Sequence, residues 1–197
     1  MARGNHVRTH DGATSMPLMN PSRSGLFWLW LSALTILLDQ ITKLAVVDRL
    51  TAYVDVIPLT GFFNLVHVHN TGAAFSLFAD QPGWQRFFFL GIAVIATVVI
   101  LYLLQKTAGR PRFSIALALI LGGALGNVID RIVYGYVIDF LDFYLGTWHW
   151  PAFNVADSAI TLGAALLIWD SFSTAPGGAK KDLGRPGALV DEKDDQP

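Results

Sequence analysis

Residues 121–140 read LGGALGNVIDRIVYGYVIDF. The stretch begins as an apolar helix, yet in a run rich in Leu, Ile and Val it carries Asp130, Arg131 and Asp139. Whether these charges lie in a protein core or in a bilayer decides the fold, and composition answers first. Of 197 residues, 53% are hydrophobic and only 15% charged, with a mean hydropathy of +0.46, which lies outside the usual range of soluble domains. A helix needs about 20 apolar residues to cross a hydrocarbon layer of about 30 Å. Four stretches approach that length, at about 26–47, 87–104, 113–133 and 155–172. The first is longer than the apolar region of a signal peptide and holds Asp39 and Lys43, so it reads as a retained span. The expected fold is a membrane all-α domain over 26–172, with four transmembrane helices and a small extracytoplasmic β-rich unit in the connection 48–86.

The flanks differ in kind. Residues 1–25 are polar with Gly, Ser and Asn, and 173–197 hold too few large apolar residues to build a core, so both read as disordered tails. Lys and Arg set the orientation. The N-terminal tail carries Arg3, Arg8 and Arg23, the connection between the second and third spans Lys106, Arg110 and Arg112, and the C-terminal tail Lys180, Lys181, Arg185 and Lys193. These three segments are expected in the cytoplasm, and the connections 48–86 and 134–154 outside. A net charge of -1 offers no field for nucleic acid, and the absence of cysteine excludes disulfides and thiol chemistry.

With that orientation, a rise of 1.5 Å per residue places Asn127, Asp130 and Arg131 near the outer end of the third span. Asp157 falls just inside the start of the fourth, and Asp39 and Lys43 in the outer half of the first. Polar groups from three helices converge at one depth. Ionisable groups in a bilayer are costly and face a bundle interior or a cavity, but each also has a plain structural reading. Gly122 and Gly126 form a GxxxG packing motif beside a possible Asp130/Arg131 pair. In FNVADS, Asn154 fits a helix N-cap with Asp157 at N3. Asp39 and Lys43 are spaced i, i+4 in the favourable acid-first order. His67 and His69 share one face of a strand, but a metal site needs further ligands and none lie nearby. His149, between Trp148 and Trp150, fits an interfacial aromatic belt. The alternating FNLVHVHNTGAAF suits a small sheet on the membrane surface, with Asn70 and Gly72 as turn residues.

Taken together, the blocks LDQITK, FNLVHVHNTGAAFSLF, GGALGNVIDR, VIDF and FNVADSAI resemble, in order and spacing, the lipoprotein signal peptidases of the bacterial signal peptidase II family. The resemblance spans nearly all of the chain between the tails, which it does not explain. It implies an intramembrane aspartyl endopeptidase of the bacterial inner membrane, with its site near the periplasmic face. Such an enzyme removes signal peptides from prolipoproteins whose cysteine bears a diacylglyceryl group. It needs no metal or organic cofactor, contacts membrane lipids, and is open to inhibitors of the globomycin type. By motif position Asp139 and Asp157 would be the catalytic pair, with Asn70, Gly72, Asn127, Arg131 and Asn154 lining the substrate site. Asp39, Lys43 and Asp130 would be structural support. Two close carboxyls sharing a proton can serve as base and acid. Three other classes compete. A proton-coupled transporter would favour a midplane site and repeated halves. A structural scaffold explains the glycines but not the aspartates, and a Ser/Lys protease needs a neutral Lys43, which Asp39 one turn away opposes.

Overall fold

The computed structural model describes residues 24–72 and 84–174. The segment 73–83, which holds all of AAFSLF, and the expected tails up to residue 23 and from residue 175 lie outside the described residues. Four helices are long and apolar enough to cross a bilayer, and a small antiparallel sheet sits at one end of them. A single 3₁₀ turn, Gly25–Trp28, leads into α1, Leu29–Arg49. The strands β1, Val56–Thr60, and β2, Phe63–Asn70, follow. Then come α2, Gln85–Lys106, and α3, Pro111–Val133, the latter started by Pro at its first turn. The strands β3, Val137–Leu145, and β4, Trp148–His149, precede α4, Val155–Thr174. The four helices agree with the expected spans to within two or three residues.

Amphipathicity in α1 is inverted relative to a soluble helix. Its buried positions are Ser32, Thr35, Asp39, Lys43 and Val46, a stripe at steps of three and four. Leu34, Leu37, Leu38, Ile41, Leu44 and Val47 point outward. Polar groups turn inward because hydrocarbon offers them no partners, and the stripe finds its partners on α3. Ser32 Oγ, for instance, donates to the Ala118 carbonyl at 2.7 Å.

The central helix is α3, which packs against each of the other three. Its glycines make that possible. A Cβ on Gly126 would lie 2.7 Å from Asp39 Oδ2, and one on Gly123 would lie 2.3 Å from the Ala156 carbonyl oxygen. The GxxxG pair Gly122/Gly126 thus seats α1, while Gly123 on the next row seats α4.

The sheet has the order β1-β2-β3-β4. It joins the α1–α2 connection to the α3–α4 connection, so both lie at the same end of the bundle. The strand β3 was not foreseen in the second connection. Its VIDF is an apolar run buried on both faces, and such a run has no alternation to separate it from the helix before it. Ile138 and Phe140 pack on Val46 and Leu50 of α1, which anchors β3 to the bundle. Between Leu65 and Val68 the β2–β3 register slips by one residue, a bulge beside the aspartate of β3.

Candidate active site

The ionisable side chains at the sheet end fall into two groups. The first is sealed inside the bundle. Lys43 Nζ lies 2.7 Å from Asp39 Oδ2 and 2.8 Å from Asp130 Oδ2, and all three side chains are essentially without solvent contact. The spare oxygens are filled as well. Asp39 Oδ1 accepts the Ala156 amide at 2.9 Å, Asp130 Oδ2 accepts the Ile138 amide at 3.1 Å, and Gln40 Nε2 donates to Asp130 Oδ1 at 2.9 Å. One cation between two carboxylates ties α1 to α3, and the carboxylates hold the starts of α4 and β3.

The second group faces a cleft of about 990 Å³ that Asp139, Asp157, Asn127, Arg131, Asn70 and Gly72 help to line. Around it, amides do what Lys43 does in the first group. Asp139 accepts Asn154 Nδ2 on Oδ1 at 2.7 Å and Asn70 Nδ2 on Oδ2 at 2.9 Å. Asp157 accepts Asn127 Nδ2 at 2.8 Å and the Asn154 backbone amide at 3.3 Å. Among the described residues, neither carboxyl is in an ion pair. Burial, and then the like charge of Asp157, push the Asp139 carboxyl up to about 7, against the lowering bonds from Asn70 and Asn154 and the charge of Lys43.

Asn127 couples the two groups. Its Oδ1 accepts Lys43 Nζ at 3.0 Å and Asn154 Nδ2 at 3.1 Å. An ammonium can only donate, so Oδ1 must face Lys43, and Nδ2 is thereby turned to Asp157. Asn154 has a double duty. Its Oδ1 accepts the Asp157 amide at 2.9 Å while Asp157 Oδ2 accepts its own amide, a reciprocal capping box. The capping reading of these two residues is what this geometry shows.

A flap of backbone closes one wall. Asn70 Oδ1 accepts the Gly72 amide at 3.0 Å, the turn expected of this pair, and the Gly72 carbonyl accepts Arg131 Nη2 at 2.9 Å. Arg131 lies over the Phe89 ring of α2, 4.8 Å from its centroid, and also donates to the Asn127 carbonyl at 3.3 Å. The Asp130/Arg131 pair considered from sequence is not made, because successive helical residues point apart: Asp130 turns inward to Lys43 and Arg131 toward the cleft. The histidines are otherwise engaged. His67 Nδ1 bonds the Leu50 carbonyl at 2.8 Å, His67 and His69 meet through Nε2 at 3.2 Å, and His69 stacks on Tyr136.

All ten residues singled out from sequence thus gather at one end of the bundle, six lining the cleft and three in the ion cluster behind it. Asn154, expected to line the substrate site, is instead fully buried beneath it, because both ends of its amide are spent on Asp139, Asn127 and the Asp157 amide. Two participants were missed. Gln40 is next to Asp39 and gave no separate signal, although its spacing of three from Lys43 puts it near the polar stripe. Asp142 sits buried on β3 with Asn64 and His149, and only recognition of β3 as a strand would have exposed it.

These features define a multi-pass membrane protein with a polar, carboxyl-lined cleft under an extramembranous sheet. The signal peptidase (SPase) II family model matches residues 31–173, and the chain belongs to that family. It is 55% identical over 158 residues to the lipoprotein signal peptidase of Janthinobacterium sp. (strain Marseille), covering 80% of this chain and 95% of that one. It is 57% identical over 150 residues to that of Paraburkholderia phytofirmans, covering 76% and 87%. A solved bacterial membrane enzyme, crystallised by the in meso method, superposes with a TM-score of 0.70 at 28% identity, over 80% of this chain and 94% of that one.

Proposed function

We propose that this membrane peptidase cleaves signal peptides from diacylglyceryl-modified prolipoproteins, N-terminal to the lipidated cysteine, with Asp139 and Asp157 activating water. The observation that carries the reading is that these two aspartates line one cleft, held by amide donors and not by a cation. With its carboxyl pushed up to about 7, Asp139 is about half protonated at neutral pH, and in that form it serves as the acid with Asp157 as the base. Asp157 takes a proton from water as the oxygen bonds the scissile carbonyl carbon, and Asp139 gives its proton to the carbonyl oxygen. The C–N bond then breaks. The amine leaves with the proton held by Asp157, and a hydroxyl of the intermediate returns one to Asp139.

The other cleft residues hold an extended peptide. Asn70 and Gly72 offer amide groups that hydrocarbon cannot, Asn154 holds the two aspartates from beneath, and Arg131 reaches the carbonyls or the lipid ester. Asp39, Lys43 and Asp130 support this wall from behind. Ile160, Thr161, Leu162 and Ala165 of α4, with Phe89 of α2, carry the cleft down between the helices, where an apolar signal segment and acyl chains enter sideways. Inhibitors of the globomycin type would occupy the same space.

In this reading the sheet and the cleft lie at the periplasmic face of the inner membrane. The termini and the α2–α3 connection lie in the cytoplasm, as the Lys and Arg placement requires. Cysteine labelling from outside should reach positions 60 and 146 but not 107, and labelling of 107 would reverse the orientation. Buried methylenes contribute about 0.8 kcal/mol each, so the lipid should be required for efficient turnover. One prolipoprotein assayed with and without its diacylglyceryl group in the same detergent tests this. Equal kcat/KM on both forms would reject lipid-dependent recognition.

A further inference from the structure

A second hollow, of about 630 Å³, opens from the sheet end of the cleft. It shares Val68 and the turn Trp150 to Ala152 with the cleft and is otherwise lined by Val56, Val66, Asp142 and His149. We propose that this hollow is the subsite for the mature polypeptide immediately following the lipidated cysteine, and that His149, held by Asp142, is a specificity-determining residue there. The inference rests on the peptidase function proposed above.

The direction of the chain follows from solubility. A substrate cut in the cleft has three parts to place. The signal segment is apolar and the acyl chains more so, and both fit only the end that runs down α4. The mature chain is bound for water and cannot take that route without burying its peptide groups in hydrocarbon. Only the sheet end remains, and there the cleft continues into the second hollow.

The chemistry of the hollow suits an extended backbone. Val56 and Val66 supply an apolar wall for one side chain, and the floor is polar. Asp142, buried on β3, accepts Asn64 Nδ2 at 2.9 Å and bonds His149 Nδ1 at 2.9 and 3.0 Å. Since the Asp142 oxygens accept, Nδ1 carries the hydrogen, and Nε2 is left as the edge that can meet a substrate. The ring is half exposed and stacked on Tyr144, with centroids 5.3 Å apart, so its direction is fixed while its outer edge is reachable. A backbone peptide group of the mature chain can hydrogen-bond to that edge.

The test compares two diacylglyceryl substrates with the same signal peptide, one ending at the residue after the cysteine and the other continuing for six residues. The wild-type enzyme should show a kcat/KM ratio, long over short, of about ten, the factor that one net hydrogen bond supplies. In His149→Ala and, separately, in Val56→Trp, which fills the hollow from an exposed strand, the ratio should fall to near one. Because the measurement is a ratio within each variant, partial loss of folded enzyme does not affect it. A wild-type ratio near one, or a ratio unchanged in both variants, overturns the subsite. Failure of the wild-type enzyme to cut either substrate overturns the peptidase reading and this inference together.

Discussion

Two pairs of aspartates sit at the sheet end of the bundle, and they differ in what stands between them. Asp39 and Asp130 share Lys43 at 2.7 and 2.8 Å. Asp139 and Asp157 are held instead by Asn70, Asn127 and Asn154. A cation bonded to both carboxyls uses them to hold helices together. Amides orient a carboxyl without neutralising it, so its proton remains available to a substrate. In the proposed mechanism the same residue type is structural or reactive according to whether its partner is a cation or an amide.

The strongest way to break this contrast is to remove the cation. Lys43→Met leaves two buried carboxylates without compensation, and removing one partner of a buried ion pair costs about 3–5 kcal/mol. Thermal unfolding in detergent should show a large drop or no folded protein, and a stability near wild type would show that the cluster does not hold the bundle.

Next comes the residue that touches both groups. Asn127→Ala removes the amide that links Lys43 to Asp157, so Asp157 loses its orientation while Lys43 keeps both carboxylates. Turnover should fall by about 10²-fold, the scale of a small misplacement of a reacting group, with a much smaller loss of stability than in Lys43→Met. Parallel losses in both would mean that Asn127 belongs to the structural group alone.

A finer effect separates amide from cation through pH. The Asn70 bond favours the charged form of Asp139, while burial and Asp157 oppose it. Loss of the Asp139 proton should end activity as pH rises through about 7. Asn70→Ala removes a lowering influence, the proton is held to higher pH, and the alkaline limb of the kcat profile should move upward. A downward shift would contradict the assignment of Asp139 as the acid.

Much of this contrast was legible in the sequence, for a local reason. The four spans follow from length and composition, and Asp39 with Lys43, and Asn154 with Asp157, are pairs within one helical turn whose spacing states their contact. What was not legible depends on the fold. That Lys43 also meets Asp130 and Asn127 follows from the α1–α3 seam at Gly126, and no local pattern reveals which face of α3 α1 will cover. The strand β3 was hidden because VIDF is buried on both faces, and with it went the Asp142–His149 pair. The Asp130/Arg131 pairing failed because adjacency in sequence is not adjacency on a helix.

The central claim is that Asp139 and Asp157 perform the cleavage and do not hold the fold. Purified Asp139→Asn and Asp157→Asn, each assayed on a diacylglyceryl prolipoprotein alongside its unfolding temperature, test it most directly. The amide keeps the size of the side chain but cannot exchange the proton. Each variant should lose turnover by at least about 10³-fold, within the range a positioned acid or base supplies, while unfolding within a few degrees of the wild type. Near-normal cleavage by either variant would remove that aspartate from the dyad.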